Sequence, residues 1–138
     1  MHRFTILAAI AVLTAIILTP AGAIRAQSPA TTSDIPYQSV SEALNSLKAK
    51  PGVKFSTGDG WTLAEDTDGA QWSFTPPGHY ANPSVGRREL RQQGGRFFVV
   101  TRILCEAPKQ ACDRLHKDYE LLNQRMNEAI QRNMQKKK

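Results

Sequence analysis

The hydrophobic pattern changes period once, near the C-terminal third of the chain. In residues 96–105, Phe97, Val99, Thr101, Ile103 and Cys105 share one face of an extended strand, and Phe98, Val100, Arg102 and Leu104 share the other. Both faces are largely apolar, which predicts a central strand. Further on, Cys112, Leu115, Tyr119, Leu122, Met126 and Ala129 recur at spacings of three and four. That is the apolar stripe of a helix, expected over residues 109–134. At 1.5 Å per residue it would be about 39 Å long. A domain of this size has a radius of gyration of roughly 13 Å, so the end beyond Met126 is expected to overhang the sheet and offers a surface for homodimerisation.

Upstream, Ser39-Val40-Ser41-Glu42 reads as a capping box. Val40, Ala43, Leu44 and Leu47 follow at helical spacing, and Pro51-Gly52 ends that helix. Residues 53–56 make a weak short strand. Residues 61–65 and 71–75 flank Asp66-Thr67-Asp68-Gly69-Ala70 as a hairpin. Trp61 and Leu63 alternate onto one face, as do Trp72 and Phe74, and all four are expected on one side of the hairpin, under the helices. Residues 76–83, rich in Pro, form an irregular loop. Residues 85–92 pair with the 96–105 strand through Gln93-Gly94-Gly95. The expected fold is α+β, in the order α-β-β-β-β-α: an antiparallel four-stranded meander with an N-terminal helix and a long C-terminal helix packed on one face.

The first residues alter the picture of where this domain works. Met1-His2-Arg3 is a basic start, residues 4–18 are apolar, and Pro20 breaks the run. Cleavage after Ala23 or Ala26 fits the small-residue rule for a Sec-type signal peptide. No cysteine follows the apolar run and no twin arginine precedes it. The expected organisation is a signal peptide at 1–26, a disordered Ser/Thr/Ala/Pro linker at 27–36, one domain at 37–134 and a basic tail at 135–138. The whole chain carries a formal charge of +6, and residues 1–26 hold two of its 18 basic side chains and none of its 12 acidic ones. The mature charge of +4 is too modest to argue for nucleic acid, and no transmembrane span is expected after cleavage.

An exported destination bears on the two cysteines. Cys105 lies on an apolar strand face, and Cys112 on the helix stripe that would pack against it. The six residues between them include Pro108, suited to a first helical turn. A strand folding back into a helix can bring the two Cα atoms within disulfide range. Closing so short a loop would stabilise the fold by about 2–3 kcal/mol.

Strong catalytic signatures are missing. There is no Gly-x-Ser-x-Gly elbow, no His-Glu-x-x-His, no phosphate loop and no tight redox cysteine pair. Three weaker constellations remain. Asp113, His116 and Glu120 share one helix face in the spacing of metal ligands, interleaved with Arg114 and Lys117 as on a solvated face. His79 and Tyr80 sit in the Pro-rich loop, and His79 is the best acid–base candidate. Arg87, Arg91 and Arg102 share the second sheet face with Val85, Phe98, Val100, Leu104 and Glu89. That mixture suits either an interaction surface or the rim of a face covered by the first helix.

Trp72-Ser73-Phe74-Thr75-Pro76, Pro83-Ser84-Val85, Leu104-Cys105-Glu106-Ala107 and Ala111-Cys112-Asp113-Arg114-Leu115 together resemble a group of small, uncharacterised exported proteins of Gram-negative bacteria. The likeness spans most of residues 37–126. It implies a periplasmic or secreted location and no known catalytic residues. Some members carry a chaperone label of the DnaJ kind. The His-Pro-Asp tripeptide of a J-domain is missing here, since His79 precedes Tyr80-Ala81 and His116 precedes Lys117-Asp118.

The function expected from the sequence is therefore a small exported binding module. It would use no cofactor and no metal, and would dock an envelope protein or an anionic envelope component on the face bearing Arg87, Arg91, Arg102 and Phe98. The competing expectation is a small hydrolase that depends on a metal or on His79.

Overall fold

The computed structural model describes residues 35–136. The expectations for the leader, for most of the lead-in and for the last two tail lysines fall outside that range. The element order is α1 (Val40–Ala49), β1 (Lys54–Gly58), β2 (Trp61–Glu65), β3 (Gln71–Phe74), β4 (Ser84–Gln93), β5 (Arg96–Cys105) and α2 (Lys109–Gln135). The α+β class holds, but the sheet has five strands rather than four. It is an antiparallel meander in the order β1-β2-β3-β4-β5. The strand read as weak, β1, pairs with β2 along its whole length. Every residue in it is exposed, so it carries little hydrophobic signal.

Local signals act as the chain predicts at α1, whereas Pro108 stands at the N-cap of α2 rather than inside its first turn. The Ser39 hydroxyl accepts the Glu42 N–H at 3.1 Å, and the Glu42 carboxylate accepts the Gln38 N–H at 2.8 Å. The β4–β5 turn uses Gly94 and Gly95 at φ +56° and +75°, the left-handed backbone of a tight hairpin turn. Cys105 and Cys112 form the disulfide, with Cα atoms 5.8 Å apart. It fastens the end of β5 to the first turn of α2.

The helices lie on opposite faces of the sheet, not on one. Ala64, Trp72, Phe74 and Val85 pack with Val40, Ala43 and Leu47 of α1. Ile35 and Tyr37 join that core, so the packed domain begins inside the stretch read as linker. On the other face, Ile103 packs with Leu115 and Tyr119 of α2 and with Ala81. The cause is register. The Asp66–Ala70 turn is closed by the Asp66 N–H to Ala70 carbonyl bond at 2.8 Å and by the Asp68 carboxylate accepting the Ala70 N–H at 2.9 Å. It sets Ala64 opposite Trp72 and Leu63 opposite Ser73. Trp72 and Phe74 therefore face α1, whereas Trp61 and Leu63 face the α2 side. A shift of one residue would have put all four together.

Strand β5 is an edge strand, and α2 protects it. Asn127 accepts the Val99 N–H at 2.6 Å, Gln131 donates to the Phe97 carbonyl at 3.0 Å, and Asn123 pairs with the Thr101 hydroxyl at 2.8 Å. Two side-chain amides thus occupy backbone groups that this edge would otherwise offer to another chain. For the same reason α2 does not overhang at Met126. Ten residues of β5 extend about 33 Å at 3.3 Å each, and the helix runs back along that ribbon to its tip. Tyr119 packs against the sheet at Gly86, where the missing side chain leaves room for its ring. A Cβ built on Gly86 would stand 2.8 Å from the Tyr119 hydroxyl. No helix among the described residues is long and apolar enough to cross a membrane.

Candidate functional site

Each helix covers only part of its face. Helix α1 sits over β2–β4, leaving bare the part of the β4–β5 ribbon that carries Glu89, Arg91, Phe98 and Val100 on the same side. Helix α2 runs along β5, leaving bare the β2–β3 side that carries Trp61, Leu63 and Ser73. These two uncovered regions hold the arginine cluster and the His79–Tyr80 pair singled out in the sequence.

On the first, the structure brings Arg87, Arg91 and Arg102 together around Glu89. Arg87 donates to Glu89 at 2.9 Å and to Asp68 at 2.7 Å, and its guanidinium lies 5.6 Å from the Trp72 ring centre. Arg91 donates to Glu89 at 2.6 Å, and Arg102 donates to the same carboxylate. Phe98 is half-buried opposite Arg91. Burial would raise the Glu89 pKa, but hydrogen bonds from Arg102, Arg87 and Arg91 outweigh it and hold the carboxyl at about 2. The arginines of this face are thus satisfied largely within the chain.

The second region is a groove of about 330 Å³. Trp61, Leu63, Ser73 and Arg88 form its sheet side, Leu115, Asp118, Tyr119 and Leu122 its helix side, and His79 and Tyr80 its end. The four α2 residues fall at i, i+3, i+4 and i+7, one edge of the helix. The loop that carries His79 and Tyr80 is anchored below. Asn82 donates to the Thr75 carbonyl at 2.9 Å, the Thr75 hydroxyl accepts the Ser84 N–H at 2.9 Å, and Ala81 is fully buried. An Asn82-Pro83 cis peptide bond lies in this loop. The aromatic rings form a chain: Trp61 meets His79 edge-on at 5.1 Å, and His79 lies 4.3 Å from Tyr80. The Arg114 guanidinium sits 4.2 Å from the Tyr80 ring centre, and the Tyr80 hydroxyl donates to Asp118 at 2.5 Å. Burial, with help from that bond and the Asp118 charge, pushes the Tyr80 pKa up to about 12, so the phenol remains a donor.

His79 and Tyr80 are therefore placed together, in a setting the sequence did not disclose. Ser73, His79 and Asp118 share the groove without the connections of a catalytic triad. His79 Nδ1 accepts the Ala81 N–H at 3.2 Å, and Asp118 accepts from Tyr80. On the outer face of α2, Asp113 pairs with Lys109 at 2.6 Å. Among the described residues, no three His, Cys, Asp or Glu side chains converge as a metal site would require.

Sequence reading missed Arg88. It neighbours Arg87 but points to the opposite face, where β4 pairs it with Gln71 and Thr101. Its Nε–H is buried with no hydrogen-bond partner. The strand parity that grouped Arg87 with Arg91 and Arg102 also set Arg88 apart, and only the register shows what it faces. Comparison with protein-family models, with curated proteins and with solved structures found no match.

Proposed function

We propose that the protein is a small exported binding module without catalysis, and that it holds its ligand in the groove between α2 and the β2–β3 side of the sheet. The observation that carries this reading is the apolar lining: Trp61, Leu63, Tyr80, Leu115 and Leu122 converge on a cleft that no described element of the fold fills. Clefts of this kind, apolar with a few placed polar groups, are the usual form of a ligand site. The disulfide and the basic, apolar leader support work in the periplasm or outside the cell. The Arg-rich face expected to dock an anionic partner has Arg87, Arg91 and Arg102 bonded to Glu89, which moves the proposed site to the other face. A hydrolase using His79 is the weaker reading, because Nδ1 accepts a backbone N–H and neither Ser73 nor Asp118 is bonded to the ring.

The neutral fluorophore Nile red tests the site. It is expected to bind the folded protein with a blue-shifted emission. Leu122→Glu, at a half-exposed helix position, should lose that signal while keeping native circular dichroism. Binding that survives Leu122→Glu, or no binding by the parent protein, removes the groove as the site.

A further inference from the structure

We propose that the groove's ligand is a small apolar carboxylate, whose anionic end is gripped by Arg88 while its apolar body lies between Trp61, Leu63 and Leu122. This rests on the groove being the binding site and adds the chemistry of what it takes.

Three observations carry it. First, Arg88 lines the groove with a buried, unpartnered Nε–H, and among the described residues no carboxylate pairs with it. An arginine is charged at every physiological pH. A buried donor left unpaired is costly, so this one does little for the fold. Its planar fork of donors matches a carboxylate in two parallel bonds. Second, several of the groove's other polar groups already have partners. Asp118 accepts the Tyr80 phenol, and His79 Nδ1 takes a backbone N–H. Of the residues that line the groove, Arg88 is the one Lys or Arg, so its guanidinium is the cation placed to meet an incoming anion of single charge. Third, the groove is walled by side chains and offers no backbone edge. Strands β2, β3 and β4 are each paired on both sides. A peptide C-terminus is normally held by backbone N–H groups or along a strand edge, and neither is present here. With a volume near the lower end for small-molecule clefts, the site fits a free small acid better than a protein tail.

The experiment compares three probes by titration calorimetry on the full disulfide-bonded domain: 4-phenylbutyrate, its neutral amide, and a short peptide ending in Phe with a free carboxylate. The acid is expected to bind at least about tenfold tighter than the amide, as a charge-assisted bond pair would give. Arg88→Gln should abolish that preference and leave amide binding in place. Equal binding of acid and amide to the parent protein, or a preference that survives Arg88→Gln, overturns the role of Arg88 while leaving the groove as a site. A peptide that binds tighter than the free acid overturns the small-molecule class. No binding by any probe sinks both this inference and the groove reading.

Discussion

The two uncovered regions of the sheet begin from similar material and end differently. Beyond α1, three arginines surround Glu89, and Arg87 also reaches Asp68. Beyond α2, Arg88 faces aromatic and aliphatic side chains, and the helix acid that lines the groove, Asp118, is bonded to Tyr80. The first region has met its charges internally and is finished as structure. The second has an open volume, apolar walls and a cation without a carboxylate among the described residues; a buried donor without a partner occurs on both sides, at Trp72 Nε1 and at Arg88 Nε. A charge paired within a chain says little about partners, whereas one without a carboxylate beside an apolar cleft is placed to meet one.

The largest expected difference between the two sides lies in packing. Leu47 is fully buried beneath α1, so Leu47→Ala should cost about 3 kcal/mol in denaturant unfolding. Leu122 borders the groove at 39% exposure, so Leu122→Ala should cost less than about 1 kcal/mol. Equal losses would show that the groove wall is core after all, and the contrast would collapse.

A smaller effect is expected at the ion network. Glu89→Gln removes the negative charge and one of the two acceptor oxygens shared by three arginines at a site only 20% exposed, and should cost about 1–3 kcal/mol at pH 7. The sign with pH follows from the lowered pKa. Glu89 titrates near its ordinary 4.5 when unfolded and at about 2 when folded. Its contribution is fully present above pH 4.5 and is lost as pH falls toward 2. The stability gap between the parent protein and Glu89→Gln should therefore be constant above pH 5 and close between pH 4.5 and 2. A gap that stays constant down to pH 2 would mean that the carboxylate is not held by the arginines.

Much of this layout was legible in the chain. The capping box at Ser39–Glu42, the period-two run ending at Cys105, the stripe from Cys112 and the disulfide between them all lie where the pattern put them. Strand parity also grouped Arg87, Arg91 and Arg102 correctly. What the pattern could not supply was register between strands. Trp61 and Trp72 each read as core, and one residue of slip decides whether they share a face. That choice rests on the hydrogen bonds of the Asp66–Ala70 turn, which composition alone does not specify. Because the groove exists only when Trp61 and Trp72 part, it was not visible before the register was. The edge position of β5 was hidden for a related reason: its amide partners, Asn123, Asn127 and Gln131, come from a helix more than 20 residues away in sequence, and no local pattern marks them.

The smallest expected effect is also the sharpest test of the contrast, since it compares two adjacent arginines. Replacing Arg87 by Met strips hydrogen bonds from Glu89 and Asp68 and removes the cation beside Trp72, and should cost about 2 kcal/mol. The same change at Arg88 removes a buried donor that has no partner and adds apolar surface to an apolar cleft. Arg88→Met should shift stability by no more than about 0.5 kcal/mol, and toward greater stability. A loss at Arg88 as large as that at Arg87 would make Arg88 a structural residue. The two sides of the sheet would then differ in composition but not in purpose, and the unmet charge would no longer argue for a ligand.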